Sequence, residues 1–283
     1  MKEIKFDEYI FSLKEEMVDF INEEFYLNDI KDFYIEEDID TNFIYLKCYI
    51  ESGKEKEIIK KMIEEYSLEL LSKKIVTEKE WLKPWIDSLK PFEFIKNVWI
   101  NPFPEKPFIT EDLVINLIPG AAFGTGLHQT TKLAAFNLSK YDLKDKSVID
   151  IGCGTGILGI YSKLKGANKV LAIDYDSIAI EKCVETCELN NVNIETFQSD
   201  FLDNVNIEIF DFIVSNIVAD ILIDLVNHEK FFKIIDENSI IIFSGINKGK
   251  EEKMEKFLFN KGLKILGKEE EGEWISLILQ KNL

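Results

Sequence analysis

The run Val148-Ile149-Asp150-Ile151-Gly152-Cys153-Gly154-Thr155-Gly156 constrains this chain more than any other: an apolar strand enters three glycines spaced by two and then a helical stretch starting near Ile157. Such a strand-to-helix junction needs a backbone that turns tightly and leaves a ligand room to approach, and glycine supplies both because it has no Cβ. The alternation continues downstream. Strands are predicted at Ser147 to Gly152, Lys169 to Asp174, Ile194 to Gln198, Phe210 to Ser215 and Ser239 to Ser244, with helices starting near Ile157, Ser177, Ala219 and Lys248. The chain closes with Leu263 to Lys268, an acidic Gly-containing turn and the apolar run Trp274 to Leu279, which predicts an antiparallel addition at the sheet edge. Residues 109–283 therefore read as a Rossmann-like α/β domain, a parallel sheet with an antiparallel edge strand.

The N-terminal stretch has a different rhythm. Residues 2–6 alternate like a short strand, and Tyr9, Ile10, Leu13, Met17, Phe20, Ile21 and Phe25 recur at helical spacing. Two strands follow, Asp32 to Glu37 and Asn42 to Ile50, then a helix carrying Ile58, Ile59, Met62, Ile63, Tyr66 and Leu70, then a short strand near Ile75 and Val76. The order β-α-β-β-α-β is that of a small α+β, ferredoxin-like domain over residues 1–78. Residues 79–108 mix Trp81, Trp85, Phe92, Phe94 and Trp99 with five prolines and read as a linker, partly helical near Trp81 to Leu89, whose aromatics form an interdomain packing surface.

Charge narrows the function. The 34 cations are all lysine and face 52 acids, a formal net charge of -18. Without a single arginine, the bidentate readout of phosphate and guanine has no carrier, so no direct nucleic-acid partner is expected. The acidity gathers at one end: residues 1–80 hold 12 lysines and 22 acids, which suits a basic partner. Cys48, Cys153, Cys183 and Cys187 show no CxxC spacing, which predicts neither a zinc site nor a disulfide framework and fits a reducing cytoplasm. The N-terminus has no apolar leader and no apolar run of about 18 residues occurs, so neither export nor a membrane is expected. The expected state is a cytoplasmic monomer.

Several residues carry chemistry. In a dinucleotide fingerprint the third glycine comes three residues after the second, whereas Gly152, Gly154 and Gly156 are evenly spaced, with Asp150 at the strand end. Asp174 follows Gly152 by 22 residues at the end of the next strand, where a carboxylate accepts from ribose hydroxyls; capping of the helix near Ser177 is the alternative. Asp200, after the third strand, is a candidate for the adenine amino group. With Asp150, Asp174 and Asp176 around the turn, a cationic sulfonium fits better than a phosphate. Upstream, the loop Pro119 to Thr131 packs Phe123, Gly124 and three threonines ahead of a helix and reads as ligand-contacting, with N-capping by Thr130 or Thr131 as the alternative; His128 reads as a structural hydrogen-bonding residue. Asn216, after the fourth strand, offers a carbonyl and an amide to hold an amine.

The stretch Ile118 to Thr131, with Ala122-Phe123-Gly124-Thr125-Gly126 and Thr130-Thr131, resembles the signature of the PrmA family, the class I methyltransferases of large-subunit ribosomal protein L11. The likeness extends through Asp150 to Gly156, Ile173-Asp174, Asn216-Ile217 and Glu271-Gly272-Glu273-Trp274, and reaches the linker through Trp81 and Trp85. Ser215 and Val218 depart from it, standing where alanine and leucine are frequent. The resemblance implies that Thr131, Gly152, Asp174 and Asn216 contact S-adenosylmethionine, that Asn216 also lies at the acceptor nitrogen, and that the N-terminal domain grips the ribosomal protein. Phe123, Gly124, Asp150, Gly154 and Asp200 complete the expected cofactor set. Other readings are a methyltransferase for another protein lysine or a small amine, a non-catalytic adenosine-binding module, and a nicotinamide dehydrogenase.

Overall fold

Tyr9, Phe11 and Leu13 alternate along strand β1 (Lys5–Leu13) and all three are buried on one face. The spacing of Tyr9, Ile10 and Leu13 predicts a helix, but in this computed structural model the period of two prevails, because β1 lies between two partner strands. Residues 5–14, 17–18, 20–21, 33–38, 43–53, 57–77, 80, 89–106, 108–118 and 126–282 are described. They divide into two units, Met1–Ser88 and Leu89–Leu283.

In the first unit, β2 (Phe33–Asp38), β3 (Phe43–Glu51), helix α1 (Glu57–Glu64) and β4 (Glu69–Thr77) follow β1. The sheet order is β2–β3–β1–β4, and β1 runs antiparallel to both β3 and β4. This is the strand order of the ferredoxin-like pattern. Phe11, Leu46, Cys48, Ile59 and Met62 meet in its core. Leu70, predicted on the helix, lies instead in β4; α1 stops short of Ser67, whose φ of 53° is left-handed. Phe25, Trp81 and Trp85 lie outside the described residues.

The second unit opens with a three-stranded sheet, β5 (Phe92–Ile95), β6 (Val98–Asn101) and β7 (Leu113–Asn116). Residues 92–101 are predicted as linker because prolines crowd them; the prolines in fact bracket a short hairpin that turns at Asn97, with φ of 62°. Phe94, Val98 and Ile100 belong to the core of this unit.

Helix α2 (Gln129–Ser139) precedes the main sheet, built from β8 (Ser147–Ile151), β9 (Lys169–Asp174), β10 (Glu195–Gln198), β11 (Phe212–Asn216), β12 (Ile240–Asn247), β13 (Leu263–Glu271) and β14 (Trp274–Lys281). Helices α3 (Ile157–Leu164), α4 (Ser177–Leu189), α5 (Ala219–Asn227) and α6 (Glu251–Asn260) connect them. The order is β10–β9–β8–β11–β12–β14–β13, parallel from β10 to β12, and β14 is antiparallel to both its neighbours, as the sequence predicts. Both faces are covered. Val148, Val170, Ala172 and Val214 point into one core, while Ile149, Leu171, Ile173 and Ile213 point into the other. The chain leaves β8 in one direction through β9 and β10 and returns on the other side at β11, so the carboxyl ends of β8 and β11 flank the switch point where open α/β sheets bind ligands.

Candidate active site

Gly152, Gly154 and Gly156 take φ values of 74°, 55° and 76°. A Cβ at Gly152 would stand 2.6 Å from Cγ2 of Ile217, so any side chain in the turn after β8 would have to displace Ile217 in the β11 loop. The amides of Gly152 and Cys153 donate to the Ile173 carbonyl at 2.8 and 3.0 Å, fastening the turn to β9.

That fastening brings Asp174 under the turn. Its Oδ2 accepts from the Gly154 amide at 2.9 Å and its Oδ1 from the Asp176 amide at 3.0 Å, so each carboxylate oxygen keeps a lone pair for a further donor. Helix α4 is capped by Asp176, whose Oδ1 accepts from the Ile178 amide at 2.9 Å; Asp174 is therefore not the cap.

Asp150, grouped with the cofactor contacts from the sequence, takes a different place. It is 1% exposed beneath the turn, where its Oδ2 accepts from the Gly159 amide at 3.0 Å and steadies the start of α3. Burial pushes its carboxyl up to about 8, with no cation to oppose the shift.

Across the sheet, Asn216 ends β11. Its Nδ2 donates to Thr131 Oγ1 at 3.1 Å, and its Oδ1 is buried with no hydrogen-bond partner among the described residues. Thr131 stands behind Asn216 rather than on the cavity wall. The N-cap of α2 is His128, whose Nδ1 accepts from the Thr130 amide at 3.3 Å, so neither threonine is the cap. Ser244 Oγ donates to the Thr130 carbonyl at 2.7 Å, tying α2 to β12.

These pieces enclose a cavity of about 610 Å³. Gly152, Gly154, Asp174, Asp200 and Asn216 lie on its wall; Thr131 and Asp150 support it from behind; Phe123 and Gly124 lie outside the described residues. Gly245, Tyr175, Phe201 and Asp224 also line it and are not singled out by the sequence reading, and Trp274, which ends the Glu271 to Trp274 stretch of the family likeness without a site role assigned to it, lines it too. Trp274 meets the His128 ring edge-on at 5.3 Å between centroids. Gly245 has a φ of 85°, and a Cβ there would stand 2.4 Å from the Ile217 carbonyl oxygen. A glycine inside an apolar strand, as Gly245 stands in β12 where the pairing with β14 shifts register between Phe243 and Ile246, is the signal that marks it. The wall carries Asp174, Asp200 and Asp224, and no lysine appears among its described residues. A pyrophosphate would face three carboxylates there, whereas a sulfonium with ribose and amine donors meets acceptors.

The family model for ribosomal protein L11 methyltransferase (PrmA) matches residues 11–282. The chain belongs to this family. A relative named ribosomal protein L11 methyltransferase from Thermosipho melanesiensis is 40% identical over 276 residues, covering 98% of each chain. One of the same name from Thermotoga neapolitana is 36% identical over 282 residues, covering 99% of this chain and all of the relative. The crystal structure of a ribosomal protein L11 methylase from Lactobacillus delbrueckii subsp. bulgaricus, 31% identical, superposes with a TM-score of 0.63 and covers 69% of this chain and all of that one. As a member of the PrmA family, the chain is an enzyme of the S-adenosylmethionine-dependent methyltransferases, and the acceptor-lined cavity fits that group. Among the described residues no helix is long and apolar enough to cross a membrane.

Proposed function

We infer that this chain transfers methyl groups from S-adenosylmethionine to amines of ribosomal protein L11. The observation that carries the reading is Asn216, a residue on the wall of a carboxylate-lined cavity at the switch point of the sheet, whose amide carbonyl is buried and unpartnered among the described residues. A buried acceptor without a donor is costly unless a ligand supplies one.

In this reading Gly152 and Gly154 let the ligand approach the backbone, Asp174 accepts from its ribose hydroxyls and Asp200 from its adenine amino group. Thr131 fixes the orientation of the Asn216 amide. When bound, S-adenosylmethionine supplies an electrophilic methyl group. The acceptor must arrive neutral: at pH 7 deprotonating a lysine costs about 4.6 kcal/mol and an α-amine about 1 kcal/mol. His128 lies on the cavity wall, but its Nδ1 is engaged by Thr130 at the start of α2; in this reading the proton leaves to solvent and Asn216 Oδ1 holds the amine through a remaining N–H, aiming its lone pair.

The same reading assigns residues 1–78 to gripping the ribosomal protein and 109–283 to catalysis, with the hairpin of residues 92–101 part of the catalytic unit rather than of a linker, in a cytoplasmic monomer without a nucleic-acid or membrane partner. The net acidity of residues 1–80 suits a basic protein. Incubation with purified ribosomal protein L11 and isotope-labelled S-adenosylmethionine tests it: intact-mass analysis is expected to show additions of one methyl each. An unmodified L11 alongside methylation of another protein or a small amine would move the reading to a different acceptor.

A further inference from the structure

The turn that carries Ser199, Asp200 and Phe201 on the cavity wall runs on to Val205, and a single cation grips it. Lys230 Nζ donates to the carbonyls of Leu202, Asp203 and Val205 at 3.1, 2.6 and 3.1 Å. An ammonium has three donors, and all three end on this one turn. The grip is itself braced. His228 Nε2 lies 3.0 Å from Asp203 Oδ1, and His228 Nδ1 accepts from the Lys230 amide at 3.2 Å. Within the turn, the Asn204 amide donates to Ser199 Oγ at 3.1 Å and Asn204 Nδ2 to the Gln198 carbonyl at 3.1 Å.

The turn needs such holding. Phe201 has a φ of 41°, a left-handed conformation that a bulky side chain adopts only when its surroundings impose it. Three backbone carbonyls converging on one side repel one another unless a cation sits among them. Lys230 itself is not on the cavity wall, so whatever it does to a ligand passes through the turn.

We propose that Lys230 is a positioning residue for cofactor binding: by drawing three carbonyls onto one ammonium it holds Asp200 and Phe201 where the adenine end of the ligand meets them. This rests on the S-adenosylmethionine reading above. It predicts a split in the kinetics, because the turn lies away from Asn216 and the acceptor amine. Affinity for the cofactor depends on the grip, while turnover at saturating cofactor does not.

The test begins with calorimetry of S-adenosylhomocysteine on the wild-type chain; no binding there would refute the S-adenosylmethionine reading itself. With binding established, Lys230→Met is expected to raise the Kd about tenfold and the KM for S-adenosylmethionine similarly, with kcat at saturation and the KM for ribosomal protein L11 within about twofold. Lys230→Arg, which keeps the cation but replaces three convergent donors by a planar fork, is expected to recover most of the affinity. Lys230→Gln, with two donors and no charge, is expected to fall between. An unchanged Kd in folded Lys230→Met overturns the proposal, as does a loss of kcat at saturation equal to the loss of affinity. Should Lys230→Met fail to fold, the Kd of Lys230→Gln decides, and an unchanged value there overturns it equally.

Discussion

Asn216 and Thr131, 85 positions apart in the chain, form one hydrogen bond, 3.1 Å from Nδ2 to Oγ1, and it fixes the orientation of the Asn216 amide. Because the amide end is engaged by the threonine, the carbonyl end is left buried and without a donor among the described residues. Replacing Asn216 by alanine removes the group that orients the amine while leaving the glycine turn and Asp174 intact. Turnover is expected to fall about 100-fold, comparable to losing one preorganised polar group from an active site, with the Kd for S-adenosylhomocysteine within about threefold of wild type. Thr131→Val keeps the volume but frees the amide to rotate, and a drop in turnover of about tenfold is expected. A radioactive methyl-transfer assay reads both; unchanged turnover in Asn216→Ala would remove Asn216 from the mechanism.

Asp150 makes stability depend on pH. Its carboxyl titrates at about 8 in the folded chain against an ordinary 3.8, so between those values the native state holds a proton that the unfolded state has lost. Stability therefore falls as pH rises across that window, by up to about 1.4 kcal/mol per pH unit for one proton. Asp150→Asn keeps an acceptor for the Gly159 amide and carries no titrating proton. Denaturant melts at pH 5 and pH 8 are expected to show the variant gaining on the wild type as pH rises; parallel curves would contradict the buried, protonated carboxyl.

Two glycines of the cavity wall press on the same residue, Ile217, and differ in what they would strike. An added Cβ at Gly152 meets a side-chain methyl at 2.6 Å, whereas one at Gly245 meets a backbone carbonyl oxygen at 2.4 Å. The methyl carbon moves if the Ile217 side chain turns about χ1, whereas the carbonyl moves only with the backbone; both glycines have positive φ. Gly152→Ala is expected to cost about 1–3 kcal/mol from the left-handed backbone, and Gly245→Ala more, with displacement of Asn216 and loss of methyl transfer. Equal thermal stabilities for the two alanine variants would refute the ranking.

What the sequence made readable follows from how many signals agreed at each place. Strand β8, the glycine turn and β9 stand out because uninterrupted apolar strands, glycines and a following helix all point one way, and Lys169–Asp174 is found where the pattern puts it. At Tyr9 to Leu13 the apolar positions satisfy both a helical and an alternating pattern, and only the long-range pairing with β3 and β4 chooses between them. Phe92 to Asn101 misleads for the opposite reason: strands of four residues between prolines carry too little periodicity to register. In the site, Asp174 and Asn216 are legible from their places at strand ends, but the burial of Asp150 is not, since it depends on α3 folding over it. Trp274 and Lys230 act through contacts with residues far off in the chain, His128 and the turn after β10, which no local pattern reports.

The acidity of the N-terminal unit bears on a different step from the cavity. Residues 1–80 hold 12 lysines against 22 acids, and charges on an exposed surface act over a distance that salt shortens, from about 10 Å at 0.1 M to about 3 Å at 1 M. Attraction of a basic ribosomal protein should therefore weaken as salt rises, while binding in the ligand cavity, which acts over contact distances shorter than the screening length, should respond far less. The expected outcome is a KM for ribosomal protein L11 that climbs steadily between 0.1 and 1 M salt, roughly tenfold or more over that range, with the Kd for S-adenosylhomocysteine nearly constant. Steady-state kinetics and calorimetry in parallel separate the two. A KM indifferent to salt would mean that the acidic unit does not recruit the substrate by charge, and that shape and apolar contact alone bring the two proteins together.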